Sequence, residues 1–204
     1  MDLDEKVFVF PKPSSNSYVQ LKPHLPEPLR QFTVCLSFYT DLPREFALLS
    51  CASRNRDNEI LLLKHSPTVY NIYVGGNNHS YIVTGNTDRG YHWENVCVAW
   101  SLTTGIVQLF LDGMALPRKG LSKDYAITTD LVMMLGQDQD SYGGSLAKPQ
   151  SFVGEITDVY MWDSVLPPQE LRRIWRKTVP APVLNWTALN FEIKGYVVLE
   201  PSLD

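Results

Sequence analysis

Hydrophobic and polar residues alternate along much of this chain with the two-residue period of half-buried β-strands. The pattern is clear in Tyr70-Asn71-Ile72-Tyr73-Val74 and in Ile106-Val107-Gln108-Leu109-Phe110. Further strand-like runs are Val7 to Phe10, Phe32 to Tyr39, Ile60 to Leu63, Val69 to Val74, Val96 to Trp100 and Ile106 to Leu111. Leu131 to Leu135, Phe152 to Trp162 and Tyr196 to Leu199 continue the series. Asp112-Gly113, Gly75-Gly76 and Gly143-Gly144 supply turn chemistry between runs. Many short strands at this spacing predict an all-β antiparallel two-sheet sandwich. One helix is expected after Pro167-Pro168, where two missing N–H groups cost nothing. Leu171, Ile174 and Trp175 would share its packed face, with Arg172, Arg173 and Arg176 turned outward.

The 204 residues fit one large β domain spanning 1–204, and 44% apolar residues suffice for a substantial core. A net charge of −4 with no basic stripe argues against nucleic acid. No apolar run is long enough to span a membrane. The first residues, Met1-Asp2-Leu3-Asp4-Glu5-Lys6, lack the basic and apolar regions of a signal peptide, as a mature secreted chain also would. Cys35, Cys51 and Cys97 show no metal-ligand spacing and allow at most one internal bridge. Cys35 and Cys97 both lie in strand-like runs, where a disulfide and buried free thiols are equally open readings.

Catalysis finds no foothold in the sequence. There is no G-x-S-x-G or H-E-x-x-H, and His24, His65, His79 and His92 have no ligand spacing. Glu155 and Asp158 could flank a glycosidic bond, but odd spacing in a strand sends them to opposite faces. The chain is therefore expected not to be an enzyme. The most suggestive segment is Gly136-Gln137-Asp138-Gln139-Asp140-Ser141-Tyr142-Gly143-Gly144. Asp138 and Asp140, two apart in a turn-rich loop, can aim two carboxylates at one hard cation such as Ca²⁺, although alone the loop reads more readily as an Asx-rich turn capping itself. Asp57 and Asn58, just before a strand, offer more oxygens, although taken alone a strand-entry turn is the better explanation of them. Asn78-His79-Ser80 and Asn185-Trp186-Thr187 are glycosylation sequons.

Taken together, these segments resemble the short pentraxins. The match rests on Lys6 to Pro11, Asp57-Asn58-Glu59, Gly136 to Gly144, Gln150 to Ile156, Met161-Trp162-Asp163 and Val183 to Trp186. The family's cysteine signature survives in part: Cys97 and Trp100 fit, whereas Asn95, Ala99 and Leu102 depart. The resemblance implies a jelly-roll, lectin-like sandwich, a Cys35–Cys97 disulfide, secretion, and a ring of identical subunits, by family default a pentamer. It implies a role in innate immunity, in which two calcium ions on one face bridge to phosphocholine, phosphoethanolamine or another anionic ligand such as an acidic polysaccharide. The opposite face, carrying the helix, would engage complement or Fc-type receptors. On this pattern Asp57, Asn58, Asp138, the Gln139 carbonyl and Asp140 hold the first ion. Asp138, Asp140 and Gln150 hold the second.

Two departures sharpen the expectation. Asp138 stands where the family usually has Glu, and Ala147, followed by Lys148, replaces a further acidic ligand of the second ion. With affinity set by ligand charge, the second calcium is expected to bind more weakly. In the ligand pocket the resemblance places Leu63, Tyr73 and Asn78. Tyr73 fills the space that would receive a trimethylammonium group, and Asn78 lacks the charge to attract one. The competing expectation is a monomeric calcium-dependent sandwich lectin or laminin-G-like module that binds carbohydrate.

Overall fold

The computed structural model describes residues 1–83, 91–173 and 181–203. Its first strands are β1 (Lys6–Phe10), β2 (Tyr18–Leu21), β3 (Gln31–Tyr39), β4 (Phe46–Ser53) and β5 (Arg56–Ser66). Next come β6 (Val69–Val74), β7 (Asn77–Ile82), β8 (Glu94–Ser101), β9 (Ile106–Leu111), β10 (Met114–Ala115) and β11 (Lys119–Gly120). The chain then forms β12 (Val132–Leu135), β13 (Gly154–Trp162), a short helix α1 (Pro168–Leu171), β14 (Phe191–Lys194) and β15 (Val198–Pro201).

Two antiparallel sheets face each other across the core. One runs β10-β9-β8-β3-β13-β1-β15, with β11 also on β9, and the other runs β14-β2-β12-β4-β5-β6-β7. The chain crosses between the sheets repeatedly, from β1 through β4 and again from β11 to β15, while β4 to β7 and β8 to β11 stay within one sheet each. Phe8, Phe38 and Ile156 from one sheet meet Phe46, Ile60, Leu62 and Ile72 from the other in a single apolar core. Edge-to-face aromatic pairs, such as Phe38–Phe46 with ring centroids 5.8 Å apart, help hold the two layers in register.

The turns behave as their residues predict. Asp112 and Gly113 both take positive φ between β9 and β10, and Gly75 and Gly76 do so between β6 and β7. Cys35 pairs directly with Cys97 across β3 and β8, and the two form a disulfide within one sheet. Closing that loop stabilises the fold by roughly 4 kcal/mol on the chain-entropy estimate. Cys51 is a buried free thiol on β4.

The helix begins where the prolines predict it. Leu171 is buried in the core cluster together with Leu166, while Ile174, Trp175, Arg176 and Lys177 lie outside the described residues. The Thr33 hydroxyl on β3 donates to the Ser164 carbonyl at 2.7 Å and accepts the Leu166 N–H at 3.0 Å. These bonds fix the helix-bearing segment against the β3 sheet. One expectation needs correction: β13 carries a bulge between Thr157 and Tyr160, with Asp158 at φ 53°. The added residue breaks strict alternation, so odd spacing alone does not assign Glu155 and Asp158 to opposite faces.

Candidate functional site

The calcium candidates gather at one end of the second sheet. Asp57 and Asn58 are the second and third residues of β5, beyond the tight β4–β5 connection in which Ser53 pairs with Arg56. The loop after β12 brings Asp138, Gln139 and Asp140 beside them. Its entry needs glycine: Gly136 has φ 88°, and a Cβ there would stand 2.4 Å from the Phe10 ring.

Gln139 anchors the loop. Its side-chain amide donates to the carbonyls of Ser50 and Val132 at 3.0 and 2.9 Å, and its Oε1 accepts the Gly143 N–H at 2.9 Å. With the side chain so engaged, the oxygen Gln139 can offer a cation is its main-chain carbonyl. Farther out, Tyr142 donates to Asp130 at 2.8 Å, and Arg54 stacks on the Tyr142 ring while bonding Asp130 at 3.1 Å. The neighbouring Glu59 is structural, since Ser53 and Tyr125 donate to its two oxygens at 2.7 and 2.6 Å.

Asp138 is only 6% exposed, and its Oδ1 is buried without a hydrogen-bond partner. Asn58 Oδ1 is in the same state. Burial, followed by the charges of Asp140, Asp57 and Glu45, pushes the Asp138 carboxyl up to about 7. Burial and the Asp57 charge also raise Asp140. Unpaired buried oxygens within a set of mutually repelling carboxylates suit a hard cation, which would satisfy both defects at once. Among the described residues, no three Asp, Glu, His or Cys side chains are grouped closely enough to hold a metal alone. An ion here would also need the Asn58 amide and the Gln139 carbonyl, a mixture typical of calcium.

Gln150 lies on the far side, in a 3-10 turn at Lys148–Gln150, and its Nε2 donates to Glu45 Oε1 at 3.1 Å. Glu45 Oε2 in turn bonds His65 Nδ1 at 2.5 Å. The sequence pattern did not reveal Glu45 or His65, because each comes from a different strand end and carries no local motif.

The three pocket candidates come together on the outer face of the same sheet. Ala47, Leu61 and Leu63 form a small apolar cluster separate from the core, and Tyr73 packs against it. Tyr73 pairs with Leu61 on one side and with Asn78 on the other. Burial first, and then the charges of Asp138 and Glu45, raise the Tyr73 hydroxyl, so this ring borders the carboxylates. Asn78 is exposed on β7.

A lectin-like jelly-roll sandwich with a polar cluster beside an apolar shelf defines a class of recognition proteins. Within that class the chain belongs to the Pentaxin family, whose model matches residues 6–201. It is 42% identical to serum amyloid P-component of Homo sapiens over 201 residues, covering 98% of this chain and 89% of the relative. It is likewise 42% identical to C-reactive protein of Sus scrofa over 203 residues, covering 99% and 90%. Among solved structures, the native heptameric SAP-like pentraxin of Limulus polyphemus superposes with a TM-score of 0.85 at 22% identity. That match covers 100% of this chain and 98% of the other. The chain is accordingly a non-enzymatic recognition protein.

Proposed function

We propose that this chain is a secreted, calcium-dependent pattern-recognition protein of innate immunity that binds phosphate-bearing or other anionic groups on microbes or damaged cells. The observation that carries this reading is the pair of buried, unpartnered oxygens on Asn58 and Asp138 within the Asp57, Asp138 and Asp140 cluster. Asp57, Asn58, Asp138, Asp140 and the Gln139 carbonyl would hold one calcium. Asp138, Asp140 and Gln150 would hold a second. Bound calcium supplies positive charge that an anionic group can join as a further ligand.

The protein's own residues then decide which anion fits. Tyr73, the partly exposed ring over buried Ala47, Leu61 and Leu63, would meet a short apolar stem and limit its bulk, and Asn78 would offer a neutral amide at the rim. Phosphoethanolamine and acidic polysaccharide suit this site better than phosphocholine. The chain would act as a cyclic homo-oligomer, a pentamer by family default, with weak single contacts multiplied by avidity. The opposite face, bearing the helix segment, is the surface offered to complement or Fc-type receptors.

The test is binding to immobilised phosphoethanolamine with calcium and with chelator, comparing the parent chain with Asp140→Ala. Calcium-dependent binding that disappears in the variant, with its melting temperature in chelator unchanged, is the expected result. Equal calcium affinity of the two chains in calorimetry would sink the assignment.

A further inference from the structure

The three aspartates supply three negative charges, whereas two calcium ions bring four positive ones. The 147–148 side of the loop adds none of the missing charge. Ala147 has no side-chain oxygen, its carbonyl accepts the Gln150 N–H at 3.0 Å, and Lys148 is exposed. The structure places a carboxylate on that side from the β3–β4 connection. Glu45 stands just before β4, and its two oxygens are held apart: Oε1 takes the Gln150 amide at 3.1 Å and Oε2 takes His65 at 2.5 Å. The preceding Arg44 binds both pieces of backbone, donating from Nη1 to the Glu45 carbonyl at 2.8 Å and to the Pro149 carbonyl at 2.9 Å. The end of the β3–β4 connection and the 148–150 turn are therefore tied together. The charge of Glu45 also reaches Asp138, whose buried Oδ1 has no partner, and Tyr73.

We propose that Glu45 is the fourth carboxylate of the cation site, placed on the Gln150 side, where it supports the second calcium in place of an acid at position 147. This rests on the calcium reading above. On this proposal, the second ion would have a carboxylate that the substitution at Ala147 otherwise removes. The donation from Gln150 Nε2 leaves that amide's oxygen as its remaining acceptor, and a carboxylate bound once on each oxygen keeps lone pairs for an ion or its water.

The experiment titrates Ca²⁺ alone into chelator-stripped protein and reads stoichiometry and both affinities by calorimetry, for the parent, Glu45→Gln, Glu45→Asp and Asp140→Ala. Glu45→Gln keeps an acceptor for Gln150 and removes only the charge; Glu45→Asp keeps the charge. The parent should take two ions per chain. Glu45→Gln should weaken the second at least about tenfold while leaving the first within about twofold. Glu45→Asp should keep most of the second affinity.

Identical curves for the parent and Glu45→Gln overturn the proposal. So do equal losses in Glu45→Asp and Glu45→Gln, which would make Glu45 a positioning residue for Gln150. A parent that binds one ion, with Asp140→Ala binding none, overturns it as well but leaves the calcium reading standing. If Asp140→Ala titrates like the parent, the calcium reading itself has failed.

Discussion

In the proposed pocket, Tyr73 is the side chain that would set ligand choice. It sits on an outward β-position between Leu61 and Asn78, over a floor of buried aliphatic carbons and beside charged carboxylates. Removing its ring opens volume above that floor without touching the core, which lies on the other side of the sheet. Tyr73→Thr should therefore admit a trimethylammonium group. The ratio of phosphocholine to phosphoethanolamine binding in a competition assay is expected to rise several-fold, and an unchanged ratio would remove Tyr73 from the pocket. Cys51 illustrates the opposite case, a reactive group made inert. Burial, with a smaller contribution from the Glu59 charge, pushes its thiol far above the usual range. Alkylation of the native protein should leave Cys51 unlabelled, and the same reagent in denaturant should label one thiol per chain by mass spectrometry. Labelling at equal rates in both conditions would contradict this burial.

At the scale of elements, the sheets are joined by more than apolar packing. Lys64 on β5 points inward, where its ammonium bonds both oxygens of Glu94 on β8 at 2.8 Å and lies over the Phe38 and Tyr70 rings. Tyr70, paired with Lys64 across β5 and β6, donates to Glu94 at 2.5 Å. Glu94→Gln would leave a mostly buried ammonium poorly compensated and should lower stability by roughly 2 kcal/mol in urea unfolding, a figure reduced for the 25% exposure of Glu94. Replacing both partners with Lys64→Met and Glu94→Leu should recover much of that loss. A double variant less stable than the single would show that the bridge itself is favourable.

Strands were legible in sequence where the two faces differ, as in β6 and β9, or where an aromatic and β-branched run is unbroken, as in β3 and β8. Phe46–Ser53 was not legible, because all eight residues are buried without alternation and Ala, Leu, Ser and Cys carry little strand preference. Tyr18–Leu21 and Phe191–Lys194 are four residues each, and Asn77–Ile82 is mostly polar, so none of them rises above loop composition. The same physics limited the site. Asp57-Asn58 and Asp138 with Asp140 are two local pairs far apart in the chain, joined in sequence only by the family resemblance, whereas Glu45 reaches Gln150 across 105 positions and only the fold reveals it.

For the whole molecule, assembly is the sharpest open expectation. Light scattering at micromolar concentration should give a mass that is a multiple of the 23.2 kDa chain, five-fold for the family default. A single-chain mass would favour the monomeric lectin reading, and a seven-fold mass would match the stoichiometry named for the Limulus polyphemus relative.

The two outer surfaces of the sandwich are separated by a shared core about 10 Å thick. One carries the Asp57, Asp138 and Tyr73 cluster, and the other is covered by the segment that Thr33 fastens through Ser164 and Leu166. Side chains on one surface therefore do not touch those on the other, and substitutions in the two sets should combine additively. On the proposed division of roles, selection could retune the recognition surface while leaving the helix-bearing surface unchanged. The architecture thus gives this chain two independently evolvable surfaces.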